Sequence, residues 1–436
     1  VTGLALAGWV LSLLLVGAHG LRFGDAGLAA SAVALSGLLL TRRGWLRWVL
    51  AAALAGACLL WADVGVELVR LRLALGQPWL RLALILGGVF ALALASLLAA
   101  LGRPGERFFH GARDGGGWSA ACFLLVAAGL ETARAMTPFN VLLLDRFFPG
   151  WGRLEIVLLA FYAAWLLGRM APPAGARRWR PRMWALFSGV FFAQAALGVA
   201  GVERMLMTGS LHLPVPALIL AGPAYRGEGF FMLILFTAAV LLAGPAWCSH
   251  LCYIGAWDDA ASRTGRRSRL EFGRWTVLGR LLTLGLTVGG ALALRLAGVG
   301  WLAAVLLGAG FGIAGVGVMA LASRGRGVMV HCSTYCPIGL AGAVLGRLNP
   351  WRVRMTRDCT QCGACSKACR YGALEVRDIE RGRPGLSCTL CGDCVGSCPH
   401  SAMEYRFPGL NSGSARLAFL TLVVALHAVF LGVARI

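Results

Sequence analysis

The run Cys359-Thr-Gln-Cys362-Gly-Ala-Cys365-Ser-Lys-Ala-Cys369, followed after a short insert by Cys388-Thr-Leu-Cys391-Gly-Asp-Cys394-Val-Gly-Ser-Cys398-Pro399, decides how the rest of the chain is read. Each half has the C-x2-C-x2-C-x3-C spacing that holds a [4Fe–4S] cubane. Each of the four irons needs one thiolate. Three closely spaced cysteines wrap one face, and where two such motifs occur together the fourth ligand comes from the other motif. Cys359, Cys362, Cys365 and Cys398 are therefore expected at one cluster, and Cys388, Cys391, Cys394 and Cys369 at a second. Zinc sites use pairs of ligands rather than a repeated triplet plus one. Arg370 follows Cys369 where Pro399 follows Cys398. Its charge is expected to raise the potential of the adjacent cluster.

Around this segment the chain is apolar. Of 436 residues 58% are hydrophobic and only 14% charged, at a mean hydropathy of +0.73. Average chains are about one quarter charged. The net charge of +22 comes mostly from arginines in short loops, and Lys367 is the single lysine. That is the positive-inside pattern of a membrane protein, and it excludes a nucleic-acid-binding reading. Cubane ligands must stay as thiolates, which points to a reducing compartment. Cys58 and Cys122 stand alone in apolar runs and read as buried small hydrophobes.

Eleven segments approach the roughly 20 residues a bilayer requires: 3–20, 26–40, 45–62, 79–101, 117–136, 153–170, 183–200, 229–247, 275–297, 300–321 and 415–434. The first lacks a basic flank before its apolar core and is read as a span rather than a signal sequence. The arginine-rich loops carry Arg42/Arg43/Arg47, Arg103/Arg107/Arg113, Arg177/Arg178/Arg180/Arg182 and Arg263/Arg266/Arg267/Arg269. Placing them inside puts the cysteine motifs on the cytoplasmic side of a bacterial inner membrane. The expected fold is an all-α polytopic membrane protein of about eleven transmembrane helices. A small α+β two-cluster ferredoxin-like domain is inserted before the last helix. Its parts are an amino-terminal membrane domain of about six helices, 1–170; a repeated hairpin core, 183–340; the ferredoxin domain, 350–407; and a last helix, 415–436.

The repeat is legible as Cys248-Ser-His-Leu-Cys252-Tyr-Ile-Gly255 and, 84 positions later, Cys332-Ser-Thr-Tyr-Cys336-Pro-Ile-Gly339. Each C-x3-C pair ends a hairpin of two apolar segments, on the side of the ferredoxin domain. Three readings stand together: ligands of a further metal centre, with His250 or His331 as additional donors; a redox-active dithiol; or packing. Elsewhere, Glu131 and Arg134 are three apart on one helix face and are expected to pair. Asp63 and Glu67 lie beside spans. His212, in the outer loop 201–228 with Pro214, Pro216 and Tyr225, is a candidate for quinol proton transfer.

Two membrane hairpins each ending in C-x3-C, followed by a two-cubane segment, resemble the membrane polyferredoxins of the NapH and NosR type over about residues 183–407. The resemblance implies electron transfer between the quinone pool and other redox subunits or a soluble carrier, as a quinol dehydrogenase-type subunit. The departures are Tyr253 in place of proline after Cys252, the long amino-terminal membrane domain, and the span after the ferredoxin segment. A second reading is a maturation or regulatory factor that supplies electrons or reduced metal to a respiratory metalloenzyme, using thiols as soft donors to Cu(I). A transporter ranks last, because the spans carry few charges.

Overall fold

The computed structural model describes residues 2–109, 116–206, 213–265 and 273–433. His212, Arg113, Arg266, Arg267 and Arg269 lie outside these residues. Among the described residues nine helices are long and apolar enough to cross a membrane. With no water to satisfy the backbone, an apolar run can cross a bilayer only with its N–H and C=O groups paired internally, as a helix does. Two expected spans are not among the nine. Ala26–Leu39 is a helix of 14 residues, short of the spanning length and capped by the Asp25 carboxylate on the Leu28 N–H at 2.8 Å. Gly152–Met170 is a 19-residue helix with Arg153 and Glu155 at its start and Arg169 in its last turn. The chain is thus a mostly helical, multi-pass membrane protein.

It divides into two compact units, one ending at Leu167 and one beginning at Gly168. In the first, the helices Thr2–Arg22, Ala26–Leu39, Leu46–Ala74 and Leu80–Leu101 pack on one another. Trp9 donates to the Ser96 carbonyl at 2.9 Å, and the hydroxyls of Ser12 and Ser96 meet at 3.1 Å. Glu131 and Arg134 pair at 3.8 Å, as their spacing predicts, within a wider network. Arg134 also holds Asp145 at 2.7 Å, and Arg153 bridges Glu131 and Asp25. Cys58 and Cys122 are buried.

The second unit contains the helices Pro173–Val199, Phe231–Ala243, Trp301–Val318 and Ser412–Val433, both C-x3-C turns and the ferredoxin segment. The segment opens and closes on two antiparallel strands, Arg352–Met355 and Met403–Arg406, with Arg352 opposite Arg406 and Met355 opposite Met403. The last helix packs onto them: the ring of Phe419 stacks on Tyr405 at 4.8 Å and meets Trp351 edge-on at 5.4 Å. The ferredoxin segment, the hairpin core and the last helix therefore share one buried core.

Candidate iron–sulfur and thiol sites

The two cubane motifs fold as two copies of one loop. Gln361 and Leu390, each just before the second cysteine, have φ of 55° and 56°, and Gly363 and Gly392, just after it, have φ of 74° and 80°. Left-handed backbone at both places turns the chain sharply, so that successive cysteines face a common centre. Glycine takes that conformation at no steric cost.

Cys359, Cys362, Cys365 and Cys398 all line one cavity. The cross-motif set predicted for the first cluster is thus brought together. Cys398 accepts the Ala402 N–H at 3.3 Å. Cys369, Cys388, Cys391 and Cys394 form the other group. Burial pushes the Cys394 thiol well above its ordinary range, and Cys391, Cys388 and Cys369 beside it push it further. Cys388 is raised to about 12, chiefly by burial. Cys369 accepts the Ala373 N–H at 3.3 Å. Four soft donors, buried or half-buried, suit a cationic iron core, which requires each of them as thiolate.

The second group is joined to the membrane core by buried polar contacts. Arg180 is 1% exposed. Its guanidinium grips both oxygens of Asp393, between Cys391 and Cys394, at 2.8 and 3.2 Å, and reaches Asp259 at 3.3 Å and the Ser249 carbonyl at 3.2 Å. Burial alone would raise the Asp259 carboxyl, but Arg180 and Arg263 outweigh it and hold the group below its usual range. Tyr371 donates to the Cys248 carbonyl at 2.9 Å, and Ser249 to the Thr389 carbonyl at 3.0 Å. Arg370 donates to the Ser262 and Gly327 carbonyls at 2.7 and 3.2 Å. In addition to any influence on a cluster, this arginine stitches the segment to the core.

The C-x3-C pairs are also two copies of one structure. Cys248 and Cys332 sit in five-residue π-helical turns, Trp247–Leu251 and His331–Tyr335. The Cys252 N–H closes on the Trp247 carbonyl at 2.9 Å, and the Cys336 N–H on that of His331 at 2.8 Å. Both second cysteines then leave in extended conformation, at φ/ψ of −75°/115° and −76°/117°. Turns of this kind are rare and gather at functional sites. The shared glycine has a steric cause: a Cβ on Gly339 would lie 2.8 Å from the Cys332 carbonyl oxygen, and one on Gly255 3.2 Å from that of Cys248. The copies part at the next residue. Pro337 opens the helix Pro337–Leu345, whereas Tyr253 stacks on Phe191 at 4.0 Å.

Cys248 and Cys332 line one small cavity, and Cys248, Cys252 and Cys336 share one buried apolar cluster. The two histidines considered as donors are both buried. His250 has its Nδ1 on Ser249 Oγ at 2.9 Å, and its ring faces Phe419. His331 lines a separate, mostly apolar cavity of about 270 Å3, together with Tyr335, Cys336, Trp257, Pro214 and Pro216. Arg180 was read from the sequence only as one charge of a basic loop, and Asp393 and Tyr371 not at all. Their partners are 69 to 213 positions away, so no local pattern points to them.

Comparison with known proteins adds a family-level likeness. A family model described as a 4Fe-4S binding domain matches residues 226–271 and 297–355. Each matched stretch contains one C-x3-C pair, and the cubane-spaced run from Cys359 lies outside both. The chain is 30% identical over 203 residues to the methylamine utilization ferredoxin-type protein MauN of Paracoccus denitrificans (strain Pd 1222), and 30% identical over 205 residues to MauN of Methylorubrum extorquens (strain ATCC 14718 / DSM 1338 / JCM 2805 / NCIMB 9133 / AM1). Each match covers 42% of this chain and 66% of the relative, a little under two thirds of its length. No solved structure matches. These likenesses agree with a membrane-associated, ferredoxin-type iron–sulfur protein of electron transfer. They do not single out the NapH or NosR branch.

Proposed function

We propose that this chain is an electron-transfer subunit of the bacterial inner membrane. It carries electrons between the quinone pool and a partner redox protein through two [4Fe–4S] clusters, whose need for thiolate ligands supports placing them on the cytoplasmic side. A [4Fe–4S] cluster supplies one-electron redox chemistry when bound. With four cysteines assigned to each, every iron has its ligand and no position is left for substrate, which favours relay over catalysis at the clusters.

The observation that carries this reading is the difference in placement of the two cysteine sets. Cys388, Cys391 and Cys394 lie on the loop that Arg180 and Ser249 tie to the first C-x3-C turn, and Cys369 lies two residues before Tyr371, which bonds the Cys248 carbonyl. The other set ends in Cys362, which is exposed. The two sets thus form steps between the membrane core and a soluble or membrane-bound partner. The quinone end is supported by the cavity beside Cys336. It is apolar, close to the smallest sizes usual for ligand sites, and edged by the polar groups of His331 and Tyr335.

The test is anaerobic. A reduced short-chain quinol, or separately the oxidised quinone with pre-reduced protein, is added to the purified chain while cluster absorbance and EPR are followed. Bleaching or reoxidation on the timescale of mixing is expected. No spectral response in either direction would sink the quinone assignment.

A further inference from the structure

The ferredoxin segment spends most of its carboxylates on itself and on the core. Asp393 is held by the buried Arg180. Glu375 and Asp378 close the capping box of the helix Val376–Glu380. Glu404 pairs with Arg406 at 2.6 Å, and Glu375 with Arg377 at 2.9 Å. The cations left over are Arg357, Lys367, Arg381 and Arg383, and all four are exposed. Among the described residues none of the four forms an ion pair with a carboxylate. Of the two exposed acids in the same segments, Asp358 and Glu380, the first accepts the Thr356 hydroxyl at 3.2 Å.

These cations sit on three segments that border one cavity, the one lined by Cys359, Cys362, Cys365 and Cys398. Arg357 lies two residues before Cys359. Lys367 lies two after Cys365, on the helix Ala364–Ala368, and its N–H closes on the Gly363 carbonyl at 3.1 Å. Ile379 lines the same cavity, and Arg381 caps the helix that carries it. Arg383 donates its N–H to the Asp378 carbonyl at 3.1 Å. Between the two arginines the Gly382 carbonyl accepts the Met355 N–H at 3.0 Å, which fastens this turn beside the strand leading to Arg357. The basic rim is thus held in place by backbone hydrogen bonds.

A rim of unpaired cations around an exposed redox site raises the local potential, draws in negative surfaces and repels positive ones. Outer-sphere electron transfer needs approach and no bond, so a fast, salt-sensitive encounter suits it. Anionic lipid headgroups share the negative charge but carry no electron, and seated here they would cover the exposed Cys362.

We propose that Arg357, Lys367, Arg381 and Arg383 form the docking rim for an acidic, soluble one-electron carrier over the outer cubane loop. The proposal rests on the iron–sulfur relay reading and names the chemistry of its partner. One electron passes per encounter: the cluster and the carrier change by one electron in opposite senses, and no bond forms or breaks.

Lys367, the single lysine, is a built-in reporter. The full-length chain in phosphatidylcholine nanodiscs is treated with excess acetylating reagent, and modification of Lys367 is followed by peptide mass spectrometry. An acidic flavodoxin should protect Lys367 several-fold at about 20 mM salt and lose that effect at about 0.5 M, where screening acts within about 4 Å. A basic c-type cytochrome should not protect it. Electron exchange with flavodoxin, mixed in the direction the midpoints favour, should slow at least about tenfold over the same salt range. The variant Arg357→Gln/Arg381→Gln/Arg383→Gln should lose most of the protection with iron content and EPR spectra unchanged. Equal protection by both proteins, none by flavodoxin, salt-independent exchange, or full protection in the variant each overturns the proposal. So does protection of Lys367 on exchanging phosphatidylcholine for phosphatidylglycerol with no protein added, which would assign the rim to the membrane surface. No quinol enters this experiment, so its failure is distinguishable from failure of the quinone assignment.

Discussion

The two cubane-motif loops have the same backbone and opposite surroundings. Around the first, Arg357, Asp358, Thr360, Gln361, Cys362 and His400 are exposed. Around the second, Thr389, Leu390, Gly392 and Asp393 are buried. Identical ligand chemistry is thus presented once to water and once to the membrane core. In the relay proposed above, this asymmetry would set direction in space: the buried loop would exchange electrons with the interior, and the exposed loop with a partner docked outside. Burial is heavier around the second loop and the aspartate–arginine contact bears on that loop only, so the two proposed clusters should differ in potential as well as in access.

The most severe way to break this asymmetry is to remove a ligand of the inner set. Cys391→Ser should eliminate one cluster's EPR signal and cut electron flow from the membrane to the outer set by at least about tenfold, corresponding to roughly 1.4 kcal/mol or more of added barrier; stopped-flow reduction of the outer cluster measures it. Undiminished transfer would show that the inner set is not on the route.

Separating the loop from the core should come next. Arg180→Met leaves Asp393 and Asp259 buried with their main counter-charge gone, a change that costs about 3–5 kcal/mol. Thermal unfolding in detergent should show a clear loss of stability. The double variant Arg180→Met/Asp393→Asn should recover part of it, and without such recovery the two residues are not energetically coupled.

Chemical access distinguishes the sets more gently. Ferricyanide or a ferrous chelator should strip the cluster held by Cys359, Cys362, Cys365 and Cys398 several-fold faster than the other, because Cys362 is open to solvent. Equal rates by EPR would mean that exposure in the resting structure does not govern attack. The smallest effect is expected from Tyr371→Phe. It removes one buried hydrogen bond to the Cys248 carbonyl, worth about 1 kcal/mol, and should leave iron content intact.

The sequence read the cysteine chemistry well because spacing on a short loop is itself geometry. The cross-motif sets Cys359/Cys362/Cys365/Cys398 and Cys369/Cys388/Cys391/Cys394 could be written down before any coordinates, and the structure brings the first around one cavity and groups the second. The repeat of C-S-x-x-C-x-I-G was equally visible, because both copies need the same glycine against the same carbonyl. Hydropathy did less well at the margins. It counted 26–40 and 153–170 as spans, where one helix is too short and the other bears charges at both ends.

By itself, then, the sequence determined which cysteines share the cubane spacing, that the chain is a helical multi-pass membrane protein, and that its middle is built twice. Those are local properties, carried by spacing, composition and period. Only the tertiary structure decided which cubane loop faces the core, that Arg180 and Asp393 join across more than 200 positions, and that the buried Arg280 donates to the Cys332 carbonyl. Such pairings depend on which helices meet. A buried charge has the same letter as a charge in a loop, and only the packing around it reveals what it must neutralise.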